Sequence, residues 1–185
     1  AIAGSVAPAE SNIPLNIPRE VLAADFFTQR REIGVLNCGD ISGTVYVDGT
    51  TYELASRDVL YIGRGSREIV FSSNFAPAPA RFYLASFPAH AAYPTKKISM
   101  NQAVIVSLGN QEQSNKRTIY KYICPDTVES CQLVLGLTAL DAGSVWNTMP
   151  CHTHPRRSEI YMYYGMGAED LVWHLTGPPT ETRHI

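Results

Sequence analysis

The chain has 185 residues, 45% of them apolar and 17% charged, which is enough for one large domain or two small ones around a real core and excludes wholesale disorder. With 15 Lys and Arg against 17 Asp and Glu the formal charge is −2, so non-specific nucleic-acid binding is excluded as the main activity. No apolar run approaches the roughly 20 residues needed to cross a bilayer, so no membrane partner is expected. Cys38, Cys124, Cys131 and Cys151 show no CxxC spacing and read as reduced thiols of a cytoplasmic protein.

Residues 1–22, rich in Ala, Ser and Pro with Pro8, Pro14 and Pro18 spaced through them, show no sustained period and are expected to form an extended N-terminal arm. From Ile33 the pattern changes, with Val35 and Leu36 leading to a turn at Gly39 and Asp40. Thr44 to Val47, the dipeptide Asp48-Gly49 and Thr51 to Leu54 predict a two-residue β-hairpin, because Asp-Gly tolerates the positive φ angles such a turn needs. Further strands are predicted at Val59 to Ile62, Glu68 to Phe71 and Arg81 to Ala85, with a turn from Gly63 to Gly65. Short β-branched and aromatic runs about ten residues apart signal an all-β sandwich or barrel. His90 to Val104 reads as a long connection, followed by a second set of strands at Tyr120 to Ile123, Cys131 to Leu137, Glu159 to Tyr164 and Leu171 to Leu175. The economical reading is two β-barrels, one spanning about Glu32 to Phe87 and one starting near Thr118. The chain stops at Thr182 to Ile185 directly after a strand-like run, so the second barrel is expected to be truncated and to continue in further sequence.

The sharpest chemical signal is His152-Thr153-His154-Pro155-Arg156-Arg157-Ser158-Glu159, an H-x-H-x4-E arrangement. Two histidines at i and i+2 of an extended strand share a face, so both imidazoles can meet one ion, and a turn over Pro155 to Ser158 can return the Glu159 carboxylate to it. Imidazole plus carboxylate suits Zn, Mn, Fe or Ni. The competing reading is a pair of surface histidines beside a hairpin. Neither a GxGxxG nor a GxxxxGK[ST] loop occurs, so no nucleotide site is expected.

With Gly143 before it and Gly165 after it, this spacing resembles the first metal motif of the cupin superfamily of jelly-roll β-barrels. Longer words carry a closer resemblance: Phe27 to Gly34, Pro88 to His90, Tyr93 to Lys97, Ser114 to Ile119, Trp146 to His154 and Glu181 to Ile185. Together they are similar to the 5-keto-4-deoxyuronate isomerase family, bicupins of pectin breakdown. The resemblance implies a metal-free first cupin barrel with its connection over residues 23–110 and an incomplete, metal-binding second barrel over 111–185. It also implies one zinc ion per subunit on His152, His154 and Glu159, with a fourth ligand, a histidine, beyond Ile185. A cytoplasmic homohexamer is implied as well.

The implied reaction is an aldose-ketose isomerisation of a small anionic sugar, moving a carbonyl from C1 to C2, and a divalent metal can polarise the oxygens concerned. The substrate's carboxylate calls for a guanidinium or ammonium partner, and Arg156, Arg157, Lys96, Lys97 and Arg183 are the candidates. Arg156 and Arg157 are adjacent, so only one of the two is expected to face the metal. Tyr161 and His184 are the candidate acid-base groups, with His90 favoured as structural and His174 expected to be a buried partner. Two rival readings use the same His-His-Glu set: an iron-dependent cupin dioxygenase and a non-enzymatic sugar-binding bicupin.

Overall fold

The computed structural model describes residues 1–75, 77–150, 152–155, 157–177 and 180. They are all-β in character, and they fall into two compact units, Ala1–Val106 with Ile119–Leu137 and Ser107–Thr118 with Thr138–Ile185.

In the first unit the order is β1 (Ile2–Val6), β2 (Ile13–Pro14), a one-turn helix α1 (Arg19–Leu22), β3 (Arg31–Asn37), β4 (Gly43–Val47), β5 (Thr50–Leu54), β6 (Val59–Ile62), β7 (Ile69–Ser73), β8 (Phe82–Pro88) and β9 (Lys96–Ile98). These build two antiparallel sheets, β1-β8-β3-β6-β9 and β2-β7-β4-β5. One core lies between them: Ile33, Val35, Leu60, Ile62 and Phe82 from the first sheet meet Val45, Leu54 and Phe71 from the second, all at 0% exposure. That is a jelly-roll-type sandwich, as the spacing of the strand-like runs predicts. The hairpin also forms as predicted. Val47 pairs with Thr50, and Asp48 and Gly49 take φ values of 44° and 93°. The Asp48 carboxylate then accepts hydrogen bonds from the amides of Arg67 and Glu68, tying the turn to the entry of β7.

Strands β3 and β6 are buried on both faces. Ile33 and Val35 turn to the sandwich core, while Glu32, Gly34 and Leu36 alternate to the opposite face, where Gly34 meets Leu133, Leu135 and Ile123. A Cβ on Gly34 would stand 2.9 Å from two of those side chains, so the close approach requires glycine. Glu32, at 0% exposure, fastens this second layer. One carboxylate oxygen accepts the Tyr61 hydroxyl and the Cys131 amide, both at 2.8 Å, and the other accepts the amides of Gln132 at 2.7 Å and Leu133 at 2.8 Å.

Several expectations are corrected. The arm is extended but not free: β1 pairs with β8 and β2 with β7, adding an edge strand to each sheet. The connection after His90 contains β9, which pairs with β6. Lys97 there is held by the buried Asp58 at 2.9 Å and by the Glu53 carbonyl at 2.6 Å. The run from Cys131 starts as a strand only at β12 (Leu135–Leu140), because the preceding amides are committed to Glu32. With β10 (Val104–Leu108) and β11 (Arg117–Ile123), β12 forms a three-stranded sheet in the order β10-β11-β12. In the second unit, Glu159 to Tyr164 and Leu171 to Leu175 form no strand, since no ladder among the described residues pairs them. Cys38, Cys124 and Cys131 are free thiols.

Replacing Glu32 by Ala leaves three backbone amides and a phenol buried without an acceptor. A loss of about 3–5 kcal/mol is expected in urea denaturation, against about 1 kcal/mol for Tyr61→Phe, which removes only one donor. An unchanged midpoint in Glu32→Ala removes the carboxylate from this organising role.

Candidate functional site

The loop that carries the two histidines is anchored within the second unit. The Ser114 carbonyl accepts the amides of Val145 at 2.7 Å and Trp146 at 3.1 Å, and Lys116 pairs with Asp141 at 3.2 Å. The buried Arg117 spans from the Asn115 carbonyl at 2.8 Å to the Met149 carbonyl at 3.4 Å. Pro150 then presents its carbonyl to Nδ1 of His152 at 2.9 Å.

That contact fixes the chemistry of the first imidazole. Donating Nδ1–H to a carbonyl leaves Nε2 of His152 with its lone pair, the arrangement that backs most metal-bound histidines. Nε2 of His152 lies 3.1 Å from Nε2 of His154, and Nε2 of His154 lies 3.3 Å from a Glu159 oxygen. Both separations are close to the roughly 3.3 Å between neighbouring donors of a tetrahedral zinc ion. The donor set therefore fits a divalent cation in kind, but the three side chains do not stand as one metal-holding group. Among the described residues no three His, Cys, Asp or Glu side chains do. His154 takes the tautomer whose Nδ1 accepts a hydrogen bond from Arg157 at 3.2 Å. That tautomer carries its proton on Nε2, directed at His152 and Glu159, where a cation would otherwise sit.

Around the carboxylate the chain alternates as an extended segment does. The Tyr161 hydroxyl donates to the second Glu159 oxygen at 2.9 Å, and the Tyr161 and Tyr163 rings stack with centroids 6.4 Å apart and planes 16° apart. Burial first, and then the hydrogen bond to Glu159, push the Tyr161 phenol up to about 12. His174 is exposed, not buried as the sequence predicts, and its Nδ1 lies 2.8 Å from the Tyr163 hydroxyl.

The structure thus brings together His152, His154, Glu159, Arg157 and Tyr161. Lys96 and Lys97 belong to the first unit: Lys96 lines a cleft of about 350 Å³ with Tyr93 and Glu129, and its ammonium donates to the Thr127 carbonyl at 2.7 Å. His90 is exposed there, its carbonyl bonded by Arg64. Arg156, Arg183 and His184, like Cys151, lie outside the described residues. Sequence reasoning missed the contact of Arg157 with His154, which depends on how the turn folds back, and the pairing of Tyr163 with His174. The second was open to inspection, since Tyr163 shares the i+2 face of Glu159 and Tyr161.

Among the described residues no helix is long and apolar enough to cross a membrane. The 4-deoxy-L-threo-5-hexosulose-uronate ketol-isomerase of Lachnoclostridium phytofermentans is 53% identical over 184 residues, covering 100% of this chain and 66% of that protein. The protein of the same name from Escherichia coli is 51% identical over 164 residues, covering 89% of this chain and 59% of its own length. The chain therefore spans about three-fifths to two-thirds of the length of these curated relatives. An IolB-like protein from Salmonella typhimurium superposes with a TM-score of 0.52 at 13% identity, covering 69% of this chain and 45% of that one, a likeness of fold. The KduI/IolB family model matches residues 19–174, and with relatives of this identity along its length the chain belongs to the KduI/IolB family.

Proposed function

We propose that the protein to which this chain belongs interconverts 4-deoxy-L-threo-5-hexosulose uronate and 3-deoxy-D-glycero-2,5-hexodiulosonate, an aldose-ketose isomerisation in pectin breakdown. The observation that carries this reading is the approach of His152 Nε2, His154 Nε2 and Glu159 on one loop of a chain 53% identical to a protein named for that isomerisation. His152, His154 and Glu159 would hold a zinc ion, one per subunit, in a cytoplasmic homohexamer. Bound there, zinc supplies the Lewis acidity that polarises the sugar's carbonyl and hydroxyl oxygens.

The chain's own residues do the remainder. His152 is oriented through its Nδ1 by the Pro150 carbonyl, and Glu159 is held by the Tyr161 hydroxyl, so two of the three donors have their directions fixed by a second contact. A phenol pushed this high is a poor proton donor near neutrality, so Tyr161 serves the carboxylate as an orienting group. Arg157 has two roles in sequence. It caps His154 Nδ1 while Nε2 holds the proton, and once that proton moves to Nδ1 the guanidinium is released as a planar, two-pronged partner for the substrate's carboxylate. Arg156, Arg183, Lys96 and Lys97 remain further candidates for the same anion, and His184 for proton transfer.

Full-length protein incubated with the uronate is expected to turn aldehyde into ketone without NAD or ATP, to lose activity to a chelator and to regain it with zinc. No turnover by the zinc-loaded, full-length protein overturns the reading. Glu159→Gln is expected to lower kcat by about 100-fold or more together with metal content, since it removes the negative donor. Arg157→Ala is expected mainly to raise KM, because a carboxylate contact is present in ground and transition states alike. Wild-type turnover and full metal occupancy in Glu159→Gln would move the site to other ligands.

A further inference from the structure

Among the described residues, His174 and Tyr163 form a titratable pair beside the histidine loop that the metal reading leaves without a role. Nδ1 of His174 is 2.8 Å from the Tyr163 hydroxyl, and its ring packs at a centroid distance of 5.0 Å on the ring of Tyr161. The Tyr161 hydroxyl in turn donates to Glu159, so the imidazole stands one phenol ring away from the carboxylate. Glu159, Tyr161 and Tyr163 alternate onto one face of an extended segment, and His174 meets that face from a separate part of the chain. The imidazole is exposed, and among the described residues its Nε2 makes no hydrogen bond.

We propose that His174 is the proton-transfer base of the isomerisation and that Tyr163 is its positioning residue, an assignment that rests on the isomerase reading above. A hydroxyl both donates and accepts, so Tyr163 can take Nδ1–H and leave the Nε2 lone pair toward the substrate. Nε2 removes the proton from the hydroxyl-bearing carbon next to the aldehyde, and the aldehyde oxygen takes a proton from solvent as the enediol forms. The enediol then gives the proton of its other hydroxyl back to solvent as the ketone forms, and the imidazolium, exposed and so exchanging its proton with solvent, delivers one to the former aldehyde carbon. One C–H bond breaks and one forms, the oxygens exchange one proton, and no oxidant or reductant is consumed.

Among the described residues, the groups that face the imidazole are the two phenols and, behind Tyr161, the Glu159 carboxylate. Burial holds the Tyr163 phenol above its ordinary range, so it does not compete for the proton near neutrality. The neutral oxygen of Tyr163 differs from the carboxylate that usually backs a catalytic histidine, and it leaves the imidazole able to release its proton within the same turnover.

The test uses the full-length, zinc-loaded protein, with kcat, KM, metal content and deuterium incorporation from D2O measured on wild type, His174→Gln and Tyr163→Phe. Wild type is expected to place solvent deuterium on the former aldehyde carbon. His174→Gln is expected to lose about 100-fold or more in kcat, with KM and metal content near wild type. Tyr163→Phe is expected to keep its metal, lose about 10-fold in kcat and shift the acid limb of its pH profile. Loss of metal in His174→Gln, or wild-type kcat in it, overturns the assignment while leaving the isomerase reading intact. So does a wild-type product free of solvent deuterium, which marks a direct hydride shift. Should His174→Gln fail to fold, an unshifted acid limb in Tyr163→Phe overturns the assignment. Absence of uronate turnover in wild type overturns both readings.

Discussion

The carboxylate of Glu32 is the constraint on which the first unit depends. Burying an ionised carboxylate costs several kcal/mol unless its lone pairs are all engaged, and here four donors converge on two oxygens. Three of those donors are consecutive backbone amides, from Cys131 to Leu133, so a single side chain on β3 dictates the path of a segment about a hundred residues later in the chain. The consequence reaches the sheet: amides turned toward Glu32 cannot pair with a neighbour, and β12 begins only once they have been passed. Tyr61, the fourth donor, stands on β6 directly beside β3, and its phenol is pushed far above the ordinary range by burial and by its hydrogen bond to the same carboxylate. A neutral phenol is what the carboxylate needs, because only the protonated hydroxyl can donate to it.

Where the code is local, the sequence is easily read. Asp48-Gly49 between alternating runs determines a hairpin because only two residues and their φ angles are involved. Val59 to Ile62 and Phe82 to Ala85 declare themselves by apolar content, since central strands are buried on both faces. The elements that escape are edges. β1 exposes Ala3 to Ser5 and so has no hydrophobic period to display, and β9 is three residues long and held in register by the ion pair of Lys97 with Asp58. Glu32 was legible in principle, because it sits on the same strand face as Gly34 and Leu36, where a solvated carboxylate does not belong. The opposite error occurs at Glu159 to Tyr164 and Leu171 to Leu175. Their composition favours strands, but strand propensity records how well a residue suits a sheet and not the presence of a partner to pair with.

The candidate site divides in the same way. The i, i+2 spacing of His152 and His154 and the return of Glu159 are short-range, and the structure places those side chains beside one another. The contacts that select their protonation come from turns: the Pro150 carbonyl under His152 and the Arg157 guanidinium against His154. No residue pattern announces a backbone carbonyl as a hydrogen-bond acceptor for a neighbouring imidazole, and adjacent arginines at a turn look alike until the turn has folded. Spacing therefore identifies the donors, while the turn decides which of their atoms carry protons.

That decision has a chemical meaning. His152 offers a lone pair at Nε2, His154 fills the space before it with Nε2–H, and Glu159 accepts from the same proton. A proton thus occupies the position that the donor set suits to a divalent cation, and the two occupants exclude each other. Moving the proton to Nδ1 of His154 frees three donors at once and also ends the bond that this nitrogen accepts from Arg157. A guanidinium that loses its acceptor seeks another, and a sugar carboxylate is the acceptor whose geometry fits it best. On the proposed reading, cation binding and anion recognition would be coupled through one imidazole, and the arginine would be offered to a substrate carboxylate only after the cation site had formed.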